Sequence, residues 1–248
     1  MHFLRPLFIA LQLLTRIPIK NIDHISDKEM GYSILYYPFV GLAIGSFFYL
    51  ILRITNVFDY PDLMAILLTV FWVLITGALH LDGLADSADA WLGGFGDRQR
   101  TLDIMKDPSC GVAGVTSIVL LLLLKFVTLS LLIQQKLPQL LVLIPLISRT
   151  HVLTLFLMTP YARQQGIAKI LTDHQPKKSM MLIIVLIYSS IVWLLPNVWI
   201  PLIISLSILM WLRYLMIQRL GGMTGDTIGA SIEISEVILL VLFVLLLS

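Results

Sequence analysis

Residues 112–133 read VAGVTSIVLLLLLKFVTLSLLI, and the only charge among them is Lys125. A helix that crosses the hydrocarbon of a bilayer needs about 20 predominantly apolar residues, and this stretch supplies them. Comparable runs, separated by charged or Pro/Gly-rich breaks, occupy 32–52, 62–81, 139–158, 179–195, 198–218 and 228–247. The whole chain of 248 residues is 58% hydrophobic and 13% charged, with a mean hydropathy of +0.93. Lipid, not water, is the solvent such a composition fits. The expected fold is all-α: a polytopic integral membrane helix bundle of about seven transmembrane helices, forming one domain over 1–248.

The N-terminal segment 1–19 has a short apolar run but no small-residue cleavage site, and Arg16 and Pro18 fall where one would lie. It is expected to be a retained, partly interfacial helix. Pro196 and Pro201 crowd the connection between the fifth and sixth runs, which should form a helical hairpin. A net charge of +2 without a basic tract excludes nucleic acid as a partner. Cys110 is the only cysteine, so the chain offers neither an internal disulfide nor a cysteine metal knuckle.

Cytoplasmic connections carry an excess of Lys and Arg. With seven spans, 13 of the 17 basic residues fall on one side: the segment before the first span, including Lys20, and the regions around 98–106, 163–178 and 213–219. The opposite side holds only Arg53 and Lys136, while Lys125 and Arg149 lie within spans. The N-terminus is therefore expected in the cytoplasm. The regions 82–110, 159–178 and 221–227 face it too, and nearly all the polar chemistry is there.

Residues 80–91, HLDGLADSADAW, open with His80 and place Asp82, Asp86 and Asp89 at i, i+4 and i+7. If the helix continues past Gly83, all three carboxylates project from one face. Three like charges repel, and a hard divalent cation with oxygen ligands turns that repulsion into coordination. The alternative is a solvated acidic turn at the end of a membrane helix.

Residues 221–236, GGMTGDTIGASIEISE, begin with a turn in which Gly222, Thr224 and Gly225 can offer backbone amides to phosphate just before a helix N-terminus. The turn lacks the lysine of a Walker motif. Asp226, Gly229, Glu233 and Glu236 then share one helical face. Glu233 and Glu236 enter an apolar span, where acids are functional candidates by default. The competing reading pairs them with Lys125 or Arg149 as structural ion pairs.

Residues 106–114, KDPSCGVAG, form a candidate anion-receiving loop with Lys106 and Asp107, although helix-capping by Asp and Ser explains much of it. Arg149 should point into the bundle, toward carboxylates or a phosphorylated substrate. His151 is read as packing. Arg163 lies in YARQQG, residues 161–166.

Taken in order, HLDGLADSADAW, MKDPSCGVAG, SRT, YARQQG and GGMTGDTIGASIEISE resemble the cobalamin synthase family, the adenosylcobinamide-GDP ribazoletransferases, over nearly the whole chain; TRIP at 15–18 also looks like that family's N-terminus. Lys106 stands where that family leads one to expect Arg. The resemblance implies an enzyme of the bacterial cytoplasmic (inner) membrane. It would join adenosylcobinamide-GDP to α-ribazole or its 5′-phosphate, release GMP and use Mg²⁺, with membrane lipid around it and a homo-oligomer permitted. On that basis Asp82, Asp86, Asp89, Asp226 and Glu233 are expected to hold one or two Mg²⁺ ions. Asp82 and Asp86 would be catalytic, with Glu236 or Asp89 taking the proton from the 5′-hydroxyl of ribazole. His80, Lys106, Asp107, Arg149, Arg163, Gly222, Thr224 and Gly225 would contact substrate.

Two other readings compete. CDP-alcohol phosphotransferases also follow Asp-Gly with aspartates at helical spacing, but their Ala-Arg is replaced here by Ala85-Asp86. An ion-coupled transporter would place its acids near the midplane between inverted repeats, and these acids cluster at one edge.

Overall fold

The structure, a computed structural model, describes residues 4–19, 22–54 and 59–247. Lys20 and the extreme ends of the 1–248 domain lie outside the described residues. In chain order the helices are α1 (Arg5–Leu14), α2 (Asp27–Ser33), α3 (Tyr37–Ile54), α4 (Pro61–Thr76), α5 (Leu79–Gly93) and α6 (Arg98–Ile104). They continue with α7 (Val112–Gln134), α8 (Leu143–Met158), α9 (Ile167–His174), α10 (Lys177–Leu194), α11 (Trp199–Leu220) and α12 (Gly225–Leu246).

Among the described residues six segments are long and apolar enough to cross a membrane, and a seventh exists only as the broken pair α4 and α5. This is a multi-pass membrane bundle. α2 runs through a short 3-10 turn into α3, so the first crossing covers Asp27–Ile54. α1, at ten residues, is about 15 Å long and too short to span. A turn at Pro196–Val198 joins α10 to α11, but the two do not pack together as the expected hairpin: α10 lies against α8 and α11 against α12.

The second run departs from the expected 62–81. α4 stops at Thr76 because Gly77 takes the left-handed conformation that closes a helix C-terminus, its N–H donating back to Leu74 and Val73. Ala78 is left-handed as well, and α5 sets off at 87° to α4. α5 packs against α7 and α12, and its residues from Asp82 onward lie beyond the expected 62–81 run.

Small residues bring backbones together where the bundle is tightest. A Cβ on Gly41 would sit 2.2 Å from the carbonyl oxygen of Pro145, and one on Gly45 would sit 2.6 Å from that of Leu141. α3 thus meets α8 and the 3-10 turn that leads into it, Pro138–Val142, through a glycine pair one turn apart, the usual device where no hydrophobic drive separates helix from lipid. The same logic positions the site: a Cβ on Gly83 would lie 2.6 Å from the Asp226 carbonyl, and one on Gly229 would lie 3.3 Å from the His80 Cα.

Candidate active site

Three connections converge at the end of the bundle where α5 lies. The loop after α8 pairs with the turn before α12: Ala162 N–H donates to the Met223 carbonyl and Met223 N–H donates to that of Pro160, both at 2.8 Å. Gly222 is required here for packing, since a Cβ would sit 2.3 Å from the Pro160 oxygen. Its close backbone approach, expected toward a ligand, is toward this loop. The pairing brings Arg163 to Asp226, to which it donates at 2.6 Å.

α12 begins with Thr224 as N-cap. Thr224 and Thr227 cap each other reciprocally, each backbone N–H donating to the other's hydroxyl. Thr224 is fully buried, so its hydroxyl holds the helix start and is turned away from the substrate role expected for it. Gly225 differs: a Cβ there would meet nothing within 4 Å, and the residue opens onto a cavity of about 390 Å³ shared by His80, Asp82 and Asp226. The far wall is apolar and includes Tyr37, Phe156 and Leu171. The buried Nδ1 of His80 has no hydrogen-bond partner among the described residues.

α5 does continue past Gly83, and it carries Asp82, Asp86 and Asp89 on one face, as the spacing predicts. Burial, then the charges of Asp82, Asp226 and Asp89, push the Asp86 carboxyl up to about 6. Asp82, Asp86 and Asp226 thus form an acidic set drawn from two helices. Asp89 is occupied elsewhere: its two oxygens accept from the backbone N–H of Gly111 at 2.7 Å and of Gly114 at 2.9 Å. It caps α7 from a neighbouring helix, and this leaves it poorly placed for the metal and proton-transfer roles expected of it.

Glu233 and Glu236 do not join the acidic set. Lys125 Nζ lies 2.9 Å from an oxygen of each, and Arg149 donates to Glu236. All four side chains are within 2% of full burial. Lys125 also stands 4.5 Å over the Trp72 ring. Two cations and two anions make the cluster formally neutral, which is how an apolar interior tolerates them. The metal role expected of Glu233, the proton-acceptor role expected of Glu236 and the substrate contact expected of Arg149 are replaced by this ion-pair cluster. His151 packs as expected, with Nδ1 3.2 Å from the Ser235 hydroxyl.

Asp107 accepts from the Ser109 N–H and hydroxyl, at 2.9 and 2.5 Å, and these bonds hold its carboxyl below the usual carboxylate range. It shapes its own exposed loop. Lys106 lines a different cavity, of about 630 Å³, beside Arg98 and Arg163. Arg98 is a residue the motif reading passes over; its guanidinium lies about 3.1–3.3 Å from where a Gly221 Cβ would be. The signal for it is the spacing Arg98, Leu102, Lys106, the first two on α6 and Lys106 in the turn just after it.

The donor set around Asp82, Asp86 and Asp226 is all carboxylate oxygen, the chemistry a hard cation selects. Among the described residues no three acidic, His or Cys side chains are gathered closely enough to hold an ion by themselves. Mg²⁺ needs less, since it is commonly held by one or two carboxylates with water and substrate phosphate completing the shell. The residues therefore fit a Mg²⁺ ion that binds together with a phosphorylated ligand.

Fold and site together define a multi-pass membrane protein that gathers acidic and basic side chains from α5, α12 and the loop after α8. The chain belongs to the cobalamin-5-phosphate synthase family, whose model matches residues 6–244. It is 47% identical over 246 residues to a protein of Acinetobacter baumannii (strain ACICU), covering 96% of each chain. It is 48% identical over 231 residues to one of Pseudomonas putida (strain GB-1), covering 93% of this chain and 95% of the relative. A third relative, from Pseudomonas fluorescens (strain Pf0-1), is 48% identical over 239 residues, covering 95% and 97%. All three are named adenosylcobinamide-GDP ribazoletransferase. No solved structure matches the chain.

Proposed function

We propose that this chain is an adenosylcobinamide-GDP ribazoletransferase acting at the cytoplasmic face of a bacterial inner membrane, with Mg²⁺ as its metal. The relatives' shared name supports the reaction. The observation that carries the site is the meeting of Asp82 and Asp86 from α5 with Asp226 from α12, beside Arg163. The excess of basic residues on that end of the bundle supports its cytoplasmic placement.

In the reaction, a ribose hydroxyl oxygen of the acceptor bonds to the phosphorus that bears the cobinamide. The bond from that phosphorus to the bridging oxygen breaks, and GMP departs with that oxygen and its electron pair. The family description names a 5-phosphate product. A 5′-phosphorylated acceptor has no free 5′-hydroxyl, so the nucleophile is another ribose hydroxyl and not the 5′-hydroxyl expected from the sequence. Phosphoryl transfer asks chiefly for positioning and charge neutralisation.

Asp82, Asp86 and Asp226 are the residues that would hold Mg²⁺, which when bound neutralises charge on the phosphate oxygens. Arg163 and Lys106 hold phosphate oxygens that the metal leaves free. The hydroxyl proton passes to an oxygen of the Asp82–Asp86 pair that the metal would leave free, Asp89 and Glu236 being engaged elsewhere. His80 and the apolar wall of its cavity bind and orient the corrinoid side of the donor. The test is product formation by lipid-reconstituted protein given adenosylcobinamide-GDP and α-ribazole or its 5′-phosphate. Formation with either acceptor supports the reading, and none from folded, reconstituted protein with both acceptors rejects it.

A further inference from the structure

A second cavity, of about 630 Å³, lies between α6 and the loop that follows α8, and its polar lining includes Arg98, Lys106, Arg163, Gln164 and Gln165. Three guanidinium or ammonium groups face it and no carboxylate lines it. The acids of α6 are turned to local work: Asp97 accepts from the Arg100 N–H at 2.7 Å and Asp103 from the Gln99 side chain at 3.0 Å. Among the described residues neither Arg98 nor Lys106 has a carboxylate partner. Arg163 spends one Nη on Asp226 while its buried Nε has no partner. Arg98 makes one long contact to the Ala162 carbonyl, at 3.5 Å, so the cavity keeps an excess of cationic donors, and its volume is in the range of small-ligand pockets.

We infer that this cavity seats the guanosine monophosphate portion of the donor, with phosphate between Lys106 and Arg163 and the purine edge against Arg98, Gln164 and Gln165. The inference rests on the ribazoletransferase reading and adds to it the place and specificity of the leaving nucleotide. Arg163 touches both this cavity and Asp226, so a phosphate here lies next to the acidic set. A guanidinium fork donates two parallel bonds to the O6 and N7 acceptors of guanine, whereas adenine presents an amino donor in place of O6. The two glutamine amides supply donor and acceptor together. Arg98 is thus the specificity residue, and Lys106 is indifferent to the base.

The experiment is titration of GMP and AMP, by calorimetry, into the full chain in phosphatidylcholine nanodiscs, with ribazoletransfer measured on the same preparation. Wild type should prefer GMP; Arg98→Ala and Arg98→Lys should both reduce that preference, by about tenfold, while Lys106→Ala should weaken both nucleotides equally. Arg98→Lys keeps the charge, which guards against misreading a folding defect. An unchanged GMP-to-AMP ratio in both Arg98 variants overturns the proposal. So does a soluble short-chain phosphatidylglycerol that occupies the same residues in preference to GMP, since the cavity would then be a lipid-headgroup seat. Active protein whose GMP binding ignores Arg98 and Lys106 sinks this cavity assignment alone. Protein that binds GMP through them yet transfers nothing leaves the assignment standing and removes the ribazoletransferase reading.

Discussion

Arg163 donates to Asp226 across 2.6 Å, tying the loop after α8 to the first turn of α12. One cation thereby guards a carboxylate that a metal would also claim, and it stands ready for phosphate when the metal arrives. Arg163→Ala should lower kcat/KM by about 10–100-fold, the loss of a charged hydrogen bond worth about 1.5–3 kcal/mol. Arg163→Lys should recover part of it, having charge but no fork. Steady-state kinetics would check this, and an unaffected Arg163→Ala enzyme would remove Arg163 from the site.

Asp89 and Asp82 look alike in sequence and should behave differently. Asp89→Asn keeps an acceptor for the α7 amides, so turnover should stay within about tenfold of wild type. Asp89→Ala should cost about 1 kcal/mol of stability through the lost cap, read as a lower melting temperature in detergent. If Asp89→Asn loses turnover as completely as a metal ligand would, the capping assignment is wrong.

The i, i+4, i+7 carboxylate stripe and the seven apolar runs were both legible from spacing, because helical period and span length follow from backbone geometry alone. What spacing could not show is where each side chain's partner comes from. Asp89 shares a face with Asp82, yet the amides it caps are 22 and 25 residues further along. Glu233 and Glu236 share a face with Asp226, but they lie about two to three turns further along α12, where Lys125 and Arg149 from other helices meet them. The break at Gly77–Ala78 was hidden because neither residue interrupts an apolar run. Gly222 was read as ligand-facing, since a glycine selected for contact with a loop looks the same in sequence as one selected for contact with phosphate.

Breaking the buried cluster should be costly for folding before it is costly for chemistry. Glu236→Leu leaves Arg149 and part of Lys125 uncompensated, a loss of about 3–5 kcal/mol. Adding Arg149→Met should restore part of it. Chemical unfolding in detergent would measure both. A Glu236→Gln protein with unchanged stability and no turnover would return Glu236 to the role of proton acceptor.

Asp86 gives the protein a pH signature. Its carboxyl, raised from 3.8 to about 6, holds a proton more tightly folded than unfolded. Its contribution to stability is complete below about pH 4 and is lost as pH rises through 6. Cation binding needs the ionised form, so the Mg²⁺ concentration for half-maximal turnover should rise as pH falls from 7.5 to 5.5. Asp86→Asn should flatten that dependence. A Mg²⁺ requirement that ignores pH over this range would argue against Asp86 as a ligand.

The central claim is that carboxylates of α5 and α12 hold Mg²⁺ for transfer from adenosylcobinamide-GDP. Its most direct test is GMP release by lipid-reconstituted protein, with and without Mg²⁺, for wild type and Asp82→Asn. Release that needs acceptor, Mg²⁺ and Asp82, with Asp82→Asn inserted and folded but silent, is the predicted result. GMP release by Asp82→Asn at the wild-type rate, or undiminished release by wild type after chelation of the metal, would contradict it.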